Sequence, residues 1–198
     1  VTGVHTSQGD IRTPRVLIAA GGYSVLLAQQ VGISLPIHAL TIQAMVTQPL
    51  KPVLNHVVSS GAYHAYANQT LKGEIATGAH MDPWPNYTTE TTAHYFKHQA
   101  EAMCELLPFL RGVKFMRHWG GLADMTPDMA PIMDANLTCE GLYLNCGWGY
   151  FGFKSGPVTG KYMAEYMARN SCPAILKPFQ LKRFEEFRLM GETAGAVG

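Results

Sequence analysis

The chain has 198 residues, of which 47% are hydrophobic and only 15% are charged. This composition excludes a chain that is disordered throughout, and 15 basic against 14 acidic residues leave no basic surplus for binding nucleic acid. Residues 16–50 contain no Asp, Glu, Lys or Arg, but Gly21, Gly22 and Pro36 interrupt them, so a membrane span is not predicted. A soluble, charge-poor protein is the expectation.

The first part of the chain has α/β character. A strand is predicted over residues 1–6 and a turn over residues 7–10. A second strand is predicted over residues 15–20, which after the first residue are all apolar. Such a run is typical of a strand buried on both faces in a parallel sheet. A short helix is predicted next, over residues 23–31.

The middle of the chain predicts an antiparallel sheet followed by a helix. Short mixed runs separated by Pro and Gly are typical of several short strands. These predicted strands cover residues 44–48, 53–59, 63–67 and 74–80. Threonines within residues 88–92 are predicted to cap the helix, and Pro108 lies near its end. The apolar positions that recur at helical spacing are Ala93, Phe96, Ala100, Met103, Leu107 and Leu110.

The last part of the chain returns to a strand and then to helices. Residues 141–146 predict the strand, and a helix is predicted from residue 155 to about residue 170, with Pro157 in its first turn. A short surface helix is predicted over residues 178–190. The apolar positions of the longer helix are Val158, Met163, Tyr166 and Met167.

This order of elements predicts a chain that leaves one domain, builds another and returns to the first. The sequence opens without Met on a strand already begun, so a piece of a longer protein is expected. Four cysteines without metal-ligand spacing, and no signal peptide, indicate free thiols in a reducing, cytoplasmic compartment. The predicted boundaries are residues 1–32 for the end of the first domain, 33–117 for an antiparallel-sheet domain with one helix, 118–170 for the return and 171–198 for a tail.

The most informative segment is the loop NCGWGYFGFKSG at residues 145–156. Its glycines permit positive φ angles and close approach of the backbone to a ligand, and it leads into a helix N-terminus that favours an anion. Lys154 is the only formal charge between Glu140 and Lys161. It could hold a carboxylate or stabilise negative charge on a cofactor. The alternative is a glycine-rich turn with a solvent-exposed lysine.

A second segment, VLIAAGGYS at residues 16–24, ends a buried strand in small residues, which places a ligand at the carboxyl end of a sheet. No GxGxxG sequence occurs. Together with LYLNCGWGYFGFKSGPVTG at residues 142–160, this segment resembles the D-amino-acid oxidase and sarcosine oxidase superfamily of flavoproteins. LPIHALTIQAMVTQPLKPVL, RHWGGLADMTPDMAPIMD and KPFQLKRF are most similar to the β subunits of heterotetrameric sarcosine oxidases.

The resemblance implies that both segments bind FAD. Gly149, Gly152 and Lys154 match the family's FAD-binding loop, in which the lysine lies near the flavin ring and the substrate carboxylate. Phe151 departs from the glycine usual there and could crowd the flavin or reshape the pocket, and Tyr23 replaces a common Trp or His. The expected cofactor-binding residues are Gly21, Gly147, Gly149, Gly152, Phe153 and Lys154.

The resemblance also implies substrate contacts from the predicted sheet. Related oxidases place a tyrosine and a histidine of this sheet around the substrate, and Tyr66 and His80 fall near those positions. The expected catalytic residues are therefore Lys154, Tyr66 and His80, although β subunits often have glycine at the position of His80. A metal is not expected, because His94 and His98 are more simply explained as part of a solvated helix face.

The implied activity is flavin-dependent oxidation of a secondary N-methyl amino acid such as sarcosine, with hydride transfer to FAD and formation of hydrogen peroxide. The chain would be the C-terminal half of a subunit, inactive alone, that works with α-, γ- and δ-like subunits and with FMN possible at a subunit interface. Neither nucleic acid nor membrane is an expected partner. The alternatives are a glycine, D-amino-acid, dimethylglycine or proline type of FAD-dependent oxidoreductase, or a non-catalytic structural subunit.

The implied fold class is α/β plus α+β. In this arrangement the chain supplies the C-terminal part of a doubly wound FAD-binding domain, which an antiparallel-sheet substrate domain interrupts. Residues 117–121 and 128–131 match a family segment that returns the chain to the FAD-binding domain. Ordinary core packing and turn formation are the expected roles of the individual residues in that segment.

Overall fold

A computed structural model describes residues 1–135 and 137–190, with the backbone alone at Ala79. The chain forms two compact units: one joins residues 1–39 to the segment that begins at Ala123, and the other comprises Leu40–Leu122. The predicted boundaries near residues 32 and 117 therefore lie several residues before those observed. Two long strands run through the observed boundaries, which explains why no break in composition marks them.

The described residues form ten strands and three α-helices, in which each run of strands is followed by one helix. The strands are β1 (Gly3–Thr6), β2 (Gly9–Arg12), β3 (Val16–Ile18), β4 (His38–Thr47), β5 (Val58–Ser60), β6 (Ala65–Gln69), β7 (Ile75–Met81), β8 (Phe115–Met125), β9 (Ile132–Ala135) and β10 (Leu142–Cys146). The α-helices are α1 (Ser24–Gln29), α2 (Ala93–Leu106) and α3 (Gly152–Arg169), and 3₁₀ turns cover Gly21–Tyr23, Pro108–Leu110, Ala174–Phe179 and Leu181–Arg183. No helix in these residues combines the length and apolarity that crossing a membrane requires.

The first unit is built on a three-stranded sheet in the order β3-β10-β9. β10 pairs in parallel with β3 and antiparallel with β9. Both faces of this sheet are covered, because alternate side chains of β10 enter two different apolar clusters. Leu142 and Leu144 pack with Ile18, and Tyr143 packs with Met163 of α3. The apolar run at residues 16–20 thus contains the parallel strand that the sequence predicts.

The second unit is a five-stranded sheet, in the order β5-β6-β7-β4-β8, with α2 packed against it. Its core joins Met45, Ala65, Ala67 and Ile75 of the strands to Met103 of α2. The Thr92 side chain accepts a hydrogen bond from the Tyr95 N–H and caps α2, as the sequence predicts. The pairs β5–β6, β6–β7 and β4–β7 are antiparallel, which confirms the predicted sheet type.

Several predicted elements differ from the structure. The predicted turn at residues 7–10 overlaps β2, and β8 and β9 were not predicted as strands. The strand predicted over residues 53–59 is confined to Val58–Ser60. Val158 is exposed although its spacing predicts an apolar contact, whereas Met163 and Tyr166 are buried as predicted.

The last two helix predictions also need correction. α3 begins at Gly152, three residues before the predicted start, so Pro157 lies inside the helix rather than in its first turn. This earlier start follows from the loop, because the Phe151 carbonyl already accepts the Ser155 N–H. In place of a surface helix over residues 178–190 there are short 3₁₀ turns, which contain Pro178 and are held by hydrogen bonds to distant side chains. The end of the predicted tail, residues 191–198, lies outside the described residues.

Candidate functional site

The two glycine-rich segments meet at one edge of the sheet in the first unit. β3 and β10 are adjacent and parallel, with Ile18 opposite Leu144, so their carboxyl ends lie side by side. Gly21 follows one strand with φ +54°, and Gly147 follows the other with φ +75°. A Cβ atom on Gly21 would meet no atom within 4 Å, so this position borders open space. Ligands of α/β sheets bind at such edges.

A buried pair of side chains links the two segments directly. The Ser24 side chain is fully buried, and its hydroxyl oxygen accepts the Ala20 N–H at 3.1 Å. Cys146 is equally buried, and a hydrogen bond joins it to the Ser24 side chain. Burial, with a smaller contribution from the Asp124 charge, raises the pKa of the Cys146 thiol to about 12. The thiol therefore stays protonated and serves packing rather than nucleophilic chemistry.

The glycine-rich loop after β10 is held from behind by Asp124. The Gly147 N–H donates to Asp124 Oδ2 at 2.6 Å, and the Gly149 N–H donates to Asp124 Oδ1 at 3.1 Å. Side chains are excluded on this side of the loop, because a Cβ at Gly147 would lie 2.6 Å from Thr126 Cγ2. A Cβ at Gly149 would lie 2.8 Å from the Met125 sulfur. Sequence reasoning missed Asp124, and its only signal was a lone acidic residue in the apolar segment at residues 121–125.

The loop delivers the N-terminus of α3. The first turn of a helix leaves N–H groups without intrahelical acceptors, and no side chain caps α3 at Phe151. Phe153 is fully exposed, and the Lys154 side chain is also exposed. The Lys154 ammonium lies 4.7 Å from the centre of the Phe151 ring. Phe151, the unusual residue of the loop, thus contacts the lysine that the resemblance makes important.

The second unit carries Tyr66 and His80, the other two predicted catalytic residues. Tyr66 lies opposite Gly78 in the β6–β7 pair, and a Cβ on Gly78 would come within 3.1 Å of the tyrosine hydroxyl oxygen. Glycine at this position therefore leaves room for the Tyr66 side chain. Burial raises the pKa of Tyr66, so its hydroxyl keeps its proton and remains a hydrogen-bond donor at neutral pH.

His80 lies at an irregularity in β7. Gly78 pairs with Ala44 and Met81 pairs with Ile42, so two residues of β7 oppose one residue of β4. This bulge accompanies an orientation in which the His80 ring stacks on His98 of α2, with ring centroids 4.5 Å apart. Burial, then the neighbouring His98 and His94, lower the pKa of His80. Its contact with α2 gives His80 a packing role, and a substrate role for it stays a prediction.

These features suit a flavin nucleotide and offer no comparable set of metal ligands. An electron-rich ligand could bind at this sheet edge for three reasons. Gly21 borders open space, the N-terminus of α3 carries positive partial charge, and the Lys154 ammonium is exposed. Within the described residues, no three His, Cys, Asp or Glu side chains are grouped so that they could hold a metal ion.

Residues 1–166 match the family of FAD dependent oxidoreductases. The chain belongs to that family. Among relatives of this FAD-dependent oxidoreductase, the sarcosine oxidase β subunit of Rhodobacter capsulatus is 37% identical over 99% of the chain and 47% of its own length. The β subunit of an Arthrobacter species is 38% identical over 100% of the chain and 48% of its own length. The chain therefore spans about half the length of these relatives.

Solved structures agree with this assignment. L-proline dehydrogenase from P. horikoshii superimposes with a TM-score of 0.88 and 27% identity, over 96% of this chain and 52% of the other. Glycine oxidase from Geobacillus kaustophilus has a TM-score of 0.83 and 21% identity, over 91% of this chain and 48% of the other, which shows a shared fold. The mixed helix and sheet content with antiparallel sheets is therefore that of FAD-dependent oxidases.

Proposed function

We propose that the chain is the C-terminal half of a subunit that oxidises a secondary N-methyl amino acid of the sarcosine type, with hydrogen peroxide as the second product. The observation that supports this substrate is 37–38% identity to sarcosine oxidase β subunits over 97–100% of the chain. Glycine oxidases match less well, at 30–31% identity over 80–85% of the chain. The greater similarity favours the N-methyl substrate.

In this proposal FAD binds along the edge where β3 and β10 end. Bound FAD supplies the acceptor for the hydride that leaves the carbon next to the amine nitrogen. The cofactor is held by backbone that approaches closely at glycines and by the N-terminus of α3. The residues proposed to hold it are Gly21, Gly147, Gly149, Gly152, Phe153 and Lys154.

Lys154 is proposed to bind the substrate carboxylate and to offset negative charge that develops during the reaction. It is exposed, and no ion pair within the described residues includes it. An ammonium that is free of an acidic partner can form a charge-assisted hydrogen bond with a carboxylate. The Phe151 ring below it limits the directions the ammonium can take.

Tyr66 is proposed to donate a hydrogen bond to the substrate, and a substrate contact from His80 stays a prediction. The raised pKa of Tyr66 keeps its hydroxyl protonated, whereas the His80 ring already contacts His98. The test is the pair of variants Tyr66→Phe and His80→Gln, measured as kcat/KM for sarcosine. We expect the tyrosine variant to lose more activity than the histidine variant, and the reverse order would reassign the donor.

The remaining parts of the proposal concern the assembly. The names of the relatives support partner subunits, and FMN at a subunit interface is retained as a prediction. The two compact units are proposed to be the end of a doubly wound FAD-binding domain and an inserted substrate domain. A cytoplasmic location is also proposed. The 198 residues alone are expected to bind FAD weakly and to be inactive.

The central experiment uses the full-length protein purified with its partner subunits. We expect a flavin absorbance spectrum that sarcosine bleaches under anaerobic conditions faster than proline, glycine or dimethylglycine does. A protein that is colourless and stays so with added FAD would support the non-catalytic subunit instead. Faster bleaching by proline would favour the second candidate, a proline dehydrogenase, which the TM-score of 0.88 to that enzyme makes the main alternative.

The role of Lys154 is tested with a matched lysine on the same helix. Lys161 also lies on α3, with its ammonium 5.7 Å from the Tyr162 ring centre. We expect Lys154→Met to lower kcat/KM for sarcosine by at least about tenfold, because a charge-assisted contact with the carboxylate is lost. Lys161→Met should leave it within about twofold of the wild type. Equal losses in both variants would remove the carboxylate role from Lys154.

A further inference from the structure

Several backbone N–H groups of the glycine-rich loop already donate hydrogen bonds to acceptors within the protein. The N–H groups of Gly147 and Gly149 both point back to the Asp124 carboxylate. The Phe151 N–H is bound by the Trp148 carbonyl at 2.8 Å. These three amides are therefore not free to bind a ligand, whereas the first turn of α3 offers N–H groups that have no intrahelical acceptor.

The Asp124 carboxylate that accepts these hydrogen bonds is itself buried. Its side chain is only 5% exposed, and no ion pair in the described part of the chain includes it. A carboxylate that leaves water without a cation is costly unless several N–H groups compensate for it. Here the loop provides that compensation, and the Gly149 N–H also lies 3.1 Å from the Asp124 backbone oxygen.

The same contacts fix the conformation of the loop. Gly147 and Gly149 both have positive φ angles, of +75° and +51°, so the chain turns twice within three residues. Both turns are anchored on one side chain, and α3 starts three residues after the second. Asp124 thus determines where the N-terminus of α3 and Lys154 are placed, although it is not part of either glycine-rich segment.

We propose that Asp124 is a positioning residue for the flavin site, which orders the Gly147–Gly149 loop and places a fixed negative charge behind it. This inference rests on the proposed function, since it requires that the loop bind FAD. The negative charge opposes the addition of electrons to a nearby flavin, and Lys154 has the opposite effect. Removing the charge should therefore weaken FAD binding through the loop and raise the reduction potential of the flavin that remains bound.

The matched control is Asp134, a second buried carboxylate in the same unit. Asp134 is 4% exposed and accepts the backbone N–H groups of Ala135 and Leu181, at 2.8 and 2.9 Å. It therefore resembles Asp124 in burial and in its two backbone bonds, but it holds the C-terminal segment rather than the loop. Removing the Asp134 carboxylate should lower stability to a similar degree but should leave FAD binding unchanged.

The test compares Asp124→Asn, Asp124→Ala and Asp134→Ala in the full-length protein. The FAD dissociation constant is measured by titrating the flavin-stripped protein, and the fraction folded is measured by circular dichroism. We expect Asp124→Ala to weaken FAD binding by at least about tenfold, and Asp124→Asn by less because one acceptor oxygen remains. Asp134→Ala should stay within about twofold of the wild type. Asp124→Asn should also raise the flavin reduction potential.

Distinct results would overturn the inference and the proposed function. If the wild-type protein fails to bind FAD, the proposed function fails and the inference fails with it. If the wild type binds FAD and Asp124→Asn matches it in both affinity and potential, only the inference fails. Equal weakening by Asp134→Ala would likewise reduce Asp124 to a general folding role. Should Asp124→Ala not fold, the asparagine variant decides the question alone.

Discussion

Asp128 and Arg183 form a bidentate ion pair inside the first unit. Arg183 Nε lies 2.8 Å from Asp128 Oδ2 and Nη2 lies 3.0 Å from Oδ1, with the two side chains 2% and 1% exposed. Burial by itself would raise the pKa of the Asp128 carboxyl, but the Arg183 bonds and the Met190 N–H lower it below its usual value. This pair fastens the C-terminal segment to the turn that follows β8.

Breaking this pair should cost much of the stability of the protein. Arg183→Met leaves the Asp128 charge buried and is expected to lower the free energy of unfolding by about 3–5 kcal/mol. The comparison is Arg188→Met, which breaks an exposed pair with Glu186 and should cost less than about 1 kcal/mol. Urea denaturation measures both. Similar losses in the two variants would show that burial of the Asp128 pair is not what matters.

Helices and strands were predictable from the sequence where the residues of one short segment are enough to define them. The helical spacing of Ala93, Phe96 and Met103, with Thr92 before them, suffices to define α2. The resemblance located both glycine-rich segments, and the structure adds that their strands are parallel neighbours. Spacing alone left the role of Lys154 open, because an exposed lysine and a ligand-binding lysine have the same local sequence.

The missed features depend on residues far apart in the chain. β8 carries Gly120 and Gly121 among large side chains, and its pattern has no clear period of two. Gly120 is explained only by the fold, since a Cβ there would lie 2.7 Å from the Thr89 carbonyl oxygen. The bonds from Asp124 to the glycine loop likewise join residues 23 and 25 positions apart. A local sequence pattern cannot predict contacts between residues that are this far apart in the chain.

The stability of the second unit should decline as the pH falls toward mildly acidic values. The lowered pKa of His80 means that the unfolded chain, which takes up this proton near pH 6.5, binds it more readily than the folded protein does. Stability from this group is therefore complete above pH 6.5 and is lost as the pH falls toward the lowered pKa of the folded state. His80→Gln should flatten this part of the profile.

The profile is measured by urea denaturation at a series of pH values from 5 to 8, in roughly half-unit steps. The control is His56→Gln, which removes an exposed histidine of the same unit. If both variants flatten the pH dependence equally, burial of His80 against α2 is not its cause. A wild-type profile without any slope below neutrality would contradict the prediction outright.

Replacement by alanine should have opposite effects on stability at a glycine of the loop and at a glycine inside α3. Gly147→Ala combines a φ of +75° with a contact of 2.6 Å to Thr126 Cγ2, and we expect a loss of about 1–3 kcal/mol in the free energy of unfolding. Gly160 lies inside α3, where a Cβ would meet no atom within 4 Å. Gly160→Ala should therefore stabilise the protein by about 0.5–1 kcal/mol. Thermal unfolding of the two variants beside the wild type measures both, and a harmless Gly147→Ala would contradict the loop geometry.

Phe151 should affect substrate binding through Lys154 rather than through the flavin. An exposed cation–π contact contributes about 0.5–1 kcal/mol, so releasing the ammonium with Phe151→Leu should raise KM for the amino-acid substrate about two- to fivefold, with kcat changed less. Leucine keeps the apolar bulk and removes only the ring. The matched variant is Tyr162→Leu, which frees Lys161 on the same helix and should leave KM unchanged. An unchanged KM in Phe151→Leu would mean that the ring does not orient Lys154 for substrate, and a loss of bound FAD would instead place Phe151 at the flavin.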